Sequence, residues 1–377
     1  MSNISIDKDK ALPIKDHKGK KDRIHWLPKD PSLYYRQLTL LYGSSGSGKT
    51  TVLNEIIKLL TDKIAIVWVI SPTNEQNENF TGIVDPSFIK SDLTEAWLDK
   101  LWKFQSNRST AYKDVNNMEV LSSLFYKVAN TEERETVKMM KNNADNNIEL
   151  IENDTKLHFS KKKAQKKNIK HGLEKNLHLF YKKMIIKYKA RLERMAKVDK
   201  LSKQEEFTLT YLMINPSCML ILDDCADEFK KWSKWPVMKK IFFKGRWNHL
   251  TTVMTFQGEG GLKPEQRRNA MTSIFTDPQT AIYHFENRSN GYPPAIRKKA
   301  CAMIPQLFHV SNNEPPHYRK LVYIPRYSEF RYTVADMYED EKIGGRAMWN
   351  LGKCIRRKSR KGDRAQNKLY NVMKRHR

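Results

Sequence analysis

The residues Gly43-Ser44-Ser45-Gly46-Ser47-Gly48-Lys49-Thr50 fit the pattern G-x-x-x-x-G-K-[ST] without a mismatch. The chemistry this spacing serves is the holding of a triphosphate, here expected to be ATP. Glycines let the backbone turn tightly enough for several N–H groups to face one phosphate. Lys49 would pair with the β- and γ-phosphates and Thr50 would place its hydroxyl on Mg2+, with Thr51 closing the nucleotide-binding set. A carboxylate at the end of a nearby strand has to help hold that metal. The apolar run Met219-Leu220-Ile221-Leu222 leads directly into Asp223 and Asp224. Asp223 suits Mg2+, held mostly through water. Asp224 suits the polarising of an attacking water. It is one methylene shorter than the glutamate common at this position, so either the geometry differs or Glu228 assists. Asp224 as a simple cap on the next helix is the competing reading.

Two further groups have the right chemistry. Gln257 follows the run Leu250–Phe256 and carries donor and acceptor in one amide. In ATPases with an extra strand between the phosphate loop and the acidic strand, a polar residue there senses the γ-phosphate; the alternative is a loop glutamine. Arg246 and Arg267 flank the same run. A positive group at the γ-phosphate stabilises transition-state charge and is often supplied by a neighbouring subunit. Either arginine suits that role, and either equally suits a salt bridge or a DNA contact.

These residues need strands to position them. Gln37–Tyr42 reads as a short buried strand leading into the phosphate loop, and Val52–Leu60 as the helix behind it. A positive helix N-terminus then faces the same anion. Further strands are expected at Ile64–Ile70, Cys218–Asp224, Leu250–Phe256, Ala281–Phe285, Lys320–Pro325 and Phe330–Val334. Buried strands alternating with helices imply an α/β fold, a mostly parallel sheet covered on both faces. Residues 1–34 read as a basic flexible arm. Residues 35–104 and 211–335 form the ATPase core, and 336–377 a basic tail. The stretch 105–210 has almost no glycine or proline and reads as a charged helical insertion. From Leu173 its apolar residues fall at 173, 177, 181, 184, 188, 192, 195 and 198, which is helical spacing. Lys161 to Lys200 holds roughly fifteen cations against about three acids, either a phosphate-facing surface or a solvated helix.

The chain has 377 residues and a net charge of +27, with 69 Lys and Arg against 42 Asp and Glu. Such an excess favours a polyanionic partner, nucleic acid before an anionic membrane. Four scattered cysteines without metal-ligand spacing suggest reduced thiols. No apolar run is long enough for a transmembrane segment and the N-terminus lacks a signal pattern, so a soluble or peripheral protein is expected.

Taken in order, LLYGSSGSGKTT, ISPTNEQNENF, LILDDC, KGRWNHLTTVMTFQ and LKPEQRRNA resemble the genome-packaging ATPases of poxviruses and other large nucleocytoplasmic DNA viruses, within the FtsK/HerA superfamily of DNA-pumping motors. The resemblance covers about residues 35–105 and 210–280. It implies a RecA-like fold, with Lys49 and Thr50 at the nucleotide, Asp223 and Asp224 as metal and catalytic acids, and Gln257 as sensor. It also implies a homo-oligomeric ring (pentamer or hexamer) acting on double-stranded DNA. Such a ring would dock at the capsid or virion vertex, with the host cytoplasm or the virion as its location. The insertion at 105–210 departs from the short family core.

Other classes fit less well. Asn367-Lys368 is followed by Leu369-Tyr370, so a guanine-reading motif fails, and no ABC signature is present. The acidic cluster Asp336 to Glu341 sits on one short stretch, too little for a nuclease. A basic structural protein explains the charge and leaves the phosphate loop unexplained. The reading is an ATP-driven double-stranded-DNA translocase that packages a viral genome. The alternatives are a helicase-like or terminase-like motor, or a nucleoside kinase.

Overall fold

Short apolar runs give the central strands β3 (Leu38–Tyr42), β4 (Ile66–Ile70), β6 (Cys218–Leu222) and β7 (Leu250–Phe256), and more polar segments give β1 (Ala11–Lys15), β2 (Lys21–Trp26), β5 (Ile89–Lys90), β8 (Thr272–Phe275), β9 (Arg319–Ile324) and β10 (Glu329–Val334). In this computed structural model, which describes residues 11–73, 79–155, 157–258, 262–309, 319–335 and 342–358, they form one ten-stranded sheet. Its order is β1-β2-β10-β9-β8-β3-β7-β6-β4-β5. From β8 across to β5 every neighbouring pair is parallel. β9 runs antiparallel to both β8 and β10, and the β1–β2 hairpin joins β10 through a parallel pairing with β2.

Successive strand residues point to opposite faces, and the two faces build separate cores. Leu38, Leu40 and Tyr42 share one with Leu220, Leu222 and Met254. Leu41 shares the other with Met219, Ile221 and Val253. Helix α1 (Lys49–Leu60) covers the second face with Val52, Leu53, Ile56 and Ile57. Helix α2 (Glu95–Val115) adds Leu98 and Leu101 to the first core. A sheet buried on both faces reads as continuous apolar runs, which is why these strands show no clean alternation.

Residues 107–215 form a second compact unit, described here by itself. It holds the end of α2 with α3 (Met118–Val128), α4 (Thr131–Asn153), α5 (Phe159–Lys187), α6 (Lys189–Ala196) and α7 (Lys203–Tyr211). Its core packs Leu121, Leu124 and Phe125 against Leu177, Tyr181 and Ile185. The expected helical stripe is real at 177, 181, 184 and 192, and lapses at Val198, which is 59% exposed. Two capping boxes, Asn130 with Glu133 and Ser202 with Glu205, start α4 and α7. Both glutamates then pair with lysines, Lys187 and Lys127. Apolar burial fades along the hairpin of α4 and α5, where Leu150 and Phe159 are exposed. Helix α5 carries ten lysines to one glutamate.

The structure corrects three expectations. The flexible arm expected over residues 1–34 is a β-hairpin between 11 and 26, closed by a turn at Gly19 with φ 76°. Residues 1–10 lie outside the described residues. Ile14 and Ile24 are buried, and Gln306 donates to the Lys15 carbonyl and accepts from its N–H, pairing the last residue of β1 on its outer edge. Second, Ala281–Phe285 is helical. Asp277 caps it and Pro278 opens its first turn, a start signal that outweighs β-like composition. Third, the basic tail is part core. Residues 346–358 are helical, Met348 is buried, and Arg356 pairs with the buried Asp85. Asp336–Glu341 and residues 359–377 lie outside the described residues. Among the described residues no helix is long and apolar enough to cross a membrane.

Candidate active site

The phosphate loop leaves the C-terminal end of β3 and enters α1, whose N-cap is Gly48 at φ 91°. An L-residue there is strained, so the glycine is required by the backbone. Gly43 is required by space. A Cβ at this position would lie 1.8 Å from Thr276 Oγ1 and 2.5 Å from Ser47 Oγ. No acid occupies the first turn of α1, which keeps the helix N-terminus attractive to an anion. Lys49 arches back over the loop. Its Nζ donates to the carbonyls of Gly43 at 2.7 Å and Ser44 at 2.8 Å. Burial lowers its pKa, opposed by the charges of Asp224, Asp223 and Asp277. Those three carboxylates therefore face the loop lysine from two strand ends, Asp223 and Asp224 after β6 and Asp277 after β8. Thr50 is exposed at the mouth of the loop, and Thr51 is half-buried behind it.

Strand β7 lies between β3 and β6, the arrangement required for a sensor between phosphate loop and acidic strand. It carries Thr255, which links the two acids. Thr255 Oγ1 donates to Asp223 Oδ1 at 2.7 Å and accepts from the Asp224 N–H at 2.9 Å. Asp223 is buried, with Ser71 Oγ at 3.5 Å from its other oxygen. Burial raises its pKa and Asp224 adds to the effect, against Thr255 and Lys49. Asp224 has φ 53°, a left-handed conformation that costs an L-residue about 1–2 kcal/mol. Held this way, its carboxylate meets Gln257, whose Nε2 lies 2.7 Å from Oδ1 and 2.8 Å from Oδ2. The structure thus brings Lys49, Asp223, Asp224 and Gln257 to one end of the sheet.

Arg246 and Arg267 are not brought there. Arg246 sits in the turn Gly245–Asn248 that leads into the start of β7, the opposite end of the sheet. Arg267 is 6% exposed, and its guanidinium donates to Leu262 O and to Asn290 Oδ1. That guanidinium braces the segment before β8, so Arg267 has no means of reaching a neighbour's phosphate. This corrects the expectation that placed it at one.

Two groups under the loop carry no sequence motif. Asp277, the cap of the helix Pro278–Glu286, accepts from the Ser44 N–H at 2.8 Å through Oδ2. Burial works to raise its carboxyl, and the bonds from Thr280 and Ser44 outweigh it and hold it low. Lys320 on β9 is 4% exposed, and its Nζ donates to the Ser47 carbonyl at 2.9 Å. Burial lowers its pKa to about 8, with Asp277 opposing. A lysine with a lowered pKa loses its charge as pH rises through that value. Affinity for an ATP analogue is therefore expected to weaken on the order of tenfold between about pH 7 and pH 9. Lys320→Met should start weaker and respond less. Fluorescence titration across pH reads this, and identical pH profiles for the two proteins would remove the role.

A hydroxyl and a carboxylate are hard oxygen donors suited to Mg2+. Thr50 and Asp223 would hold it, the remaining ligands coming from phosphate and water. Among the described residues no cluster of three or more His, Cys, Asp or Glu could hold a metal without such help.

No family model matches the chain. It is 28% identical over 335 residues to the uncharacterised protein B354L of African swine fever virus, a large DNA virus, covering 84% of this chain and 87% of that one. Over a shorter span of 69 residues, 18% of this chain and 24% of the other, it is 41% identical to the uncharacterised protein L437 of Acanthamoeba polyphaga mimivirus. Among solved structures it is similar to the genome-packaging NTPase B204 of Sulfolobus turreted icosahedral virus 2. That match has a TM-score of 0.37 and 12% identity, over 82% of this chain and 100% of that one. It is also similar to the pCW3 conjugation coupling protein TcpA, with a TM-score of 0.38 and 10% identity over 92% of this chain and 72% of the other. The phosphate loop between β3 and α1, on a mostly parallel sheet with flanking helices, gives this chain a P-loop NTPase fold.

Proposed function

We propose that this protein is an ATP-hydrolysing motor that moves double-stranded DNA, and that the DNA is a viral genome being packaged. The observation that carries the hydrolytic part is the Asp223–Thr255–Asp224–Gln257 chain of hydrogen bonds set against Lys49. A site that only bound nucleotide would need the loop and its lysine. It would not need a second acid held in a left-handed conformation with an amide across both of its oxygens.

In this reading Lys49 leaves the loop carbonyls and pairs with the β- and γ-phosphates. Thr50 and Asp223 would hold Mg2+, which would supply positive charge against the phosphate oxygens. Asp224 accepts a proton from water as the water oxygen attacks the γ-phosphorus and the bond to the β-phosphate oxygen breaks. For that, one Asp224 oxygen has to be released by Gln257. A γ-phosphate that draws the Gln257 amide towards itself provides the release, so the same side chain reports the nucleotide and frees the acid.

The DNA part is supported by charge. A net +27 fits a polymer of phosphates better than a small acceptor, and α5 offers ten lysines on one helix. The relatives from large DNA viruses support a viral setting. A ring of identical subunits in the host cytoplasm is the working form we propose, with a capsid vertex as its docking place.

Steady-state phosphate release with and without a random-sequence duplex tests the reading. DNA is expected to stimulate hydrolysis, and the stimulation should fade as salt rises from about 50 to about 200 mM, because each neutralised phosphate releases counterion. Hydrolysis that is indifferent to DNA at low salt would leave a nucleotide hydrolase of another kind.

A further inference from the structure

The β1–β2 hairpin has two unlike faces. On one, Leu12 lies opposite Ile24 and Ile14 opposite Asp22, and the two isoleucines share a core with Ala300, Met303 and Ile304 of the helix Pro294–Leu307. The other face pairs Ala11 with His25, Pro13 with Arg23 and Lys15 with Lys21. It lines an open cleft of about 800 Å3, in which Lys15, Lys21 and Arg23 are exposed and His25 is half-buried.

The hairpin's two acids are engaged elsewhere. Asp16 sits in the turn, where its Oδ1 accepts from the N–H groups of Lys18 and Lys20 at 2.8 Å. Asp22, the one carboxylate that lines the cleft, pairs with Lys299 of the helix on the core side at 3.2 Å. Lys15 and Lys21 are poorly placed for stability. Gln306 takes both the N–H and the carbonyl of Lys15, so this pair exchanges no backbone bonds across the hairpin. Side chains stand closest in such a pair, and like charges directly opposite each other destabilise it. Arg23 adds a third positive charge two residues along the same strand face. The arrangement works against the hairpin unless an anion comes between the three.

We propose that this cleft grips the phosphodiester backbone of double-stranded DNA, an assignment that rests on the motor reading above. Lys21 and Arg23 stand about 6.5–7 Å apart along one strand face, with Lys15 across the hairpin, so the three can meet more than one phosphate. The N–H fork of arginine matches two oxygens of one phosphate. Other occupants fit less well. A peptide adding a strand needs an open edge, and on β1 Pro13 has no N–H while Lys15 is already bonded to Gln306. A membrane surface needs apolar side chains to enter it, and among the described residues no exposed large apolar side chain falls on the hairpin. The helix on its core face and β10 alongside β2 anchor the hairpin, so it is no free ribbon that could enter a groove. Contact is therefore with phosphate oxygens, which position DNA without reading sequence.

The test uses the full chain and a fluorescent random-sequence duplex, with affinity measured by anisotropy over a range of salt. Each of Lys15→Gln, Lys21→Gln and Arg23→Gln should lower affinity roughly five- to tenfold at about 0.1 M salt and flatten the log–log salt slope by about 0.9. The triple glutamine variant should flatten it by roughly two to three. A variant that keeps the charges, with Lys15→Arg, Lys21→Arg and Arg23→Lys, should keep the slope. Binding of a fluorescent ATP analogue checks that each variant is folded, and the single variants decide if the triple one is not. Glutamine variants that bind the analogue and keep the wild-type salt slope overturn the assignment while leaving the motor reading in place. A wild-type protein that binds the analogue but no DNA at any salt sinks the motor reading itself, and the assignment with it.

Discussion

Lys49→Ala is expected to abolish ATP hydrolysis while leaving the protein folded. The amine bridges the Gly43 and Ser44 carbonyls in a loop otherwise shaped by glycines and by bonds to Thr276 and Asp277. Those other bonds remain in the variant, so the loop keeps most of its form. What disappears is the positive charge that the γ-phosphate would meet. In a partly buried site such a loss costs at least about a hundredfold in rate. Lys320 stands below the loop and cannot substitute, because its Nζ is committed to the Ser47 carbonyl on the inner side. Phosphate release, compared with thermal unfolding of the same samples, separates lost chemistry from lost fold. Turnover within a few-fold of wild type would mean that this loop is not where the triphosphate is broken.

The part of the site that the sequence reveals is the part that is local. The phosphate loop is contiguous, and Asp223 and Asp224 sit at the end of an apolar run, so each announces itself by spacing. Strand β7 between β3 and β6 could be expected from Gln257 only by supposing an extra strand; the sheet order supplies it. Asp277 and Lys320 were invisible for a physical reason. They reach the loop through the sheet, from β8's end and from β9, more than two hundred residues away in sequence. A cap of the Asp-Pro type after an apolar run was the one available signal for Asp277, and it would also have shown Ala281–Phe285 to be helical. For Lys320 a lysine beginning an apolar strand looks like any edge residue until its neighbours are known. Arg267 misled in the opposite sense. Its basic cluster with Arg268 suggests a surface, yet a five-residue helix turns one arginine inward to Asn290 and the other outward. The hairpin at 11–26 was hidden by lysines on its exposed face, with Ile14 and Ile24 the only residues fully committed to the core.

Asp224→Asn separates binding from turnover. Asparagine matches aspartate in size and is among the few residues at ease with positive φ, so the 53° conformation is retained. Its backbone N–H still donates to Thr255, and its side-chain oxygen can still accept from Gln257. The fold and the nucleotide pocket therefore survive. Affinity for ATP should hold or rise, because one negative charge facing the phosphates is gone. Proton acceptance is lost, since a neutral amide cannot take a proton from water. Loss of a positioned general base lowers the rate by about 10²–10⁴. The expected result is a protein that binds ATP analogue at least as tightly as wild type and hydrolyses ATP at under about one hundredth of its rate. Measuring the analogue's affinity and single-turnover phosphate release on one preparation keeps the two effects apart. If single-turnover release proceeds at the wild-type rate, Asp224 is not the base. The alternative acid that the sequence offers is then Glu228, which is exposed in the first turn of the following helix and whose replacement should produce the loss instead.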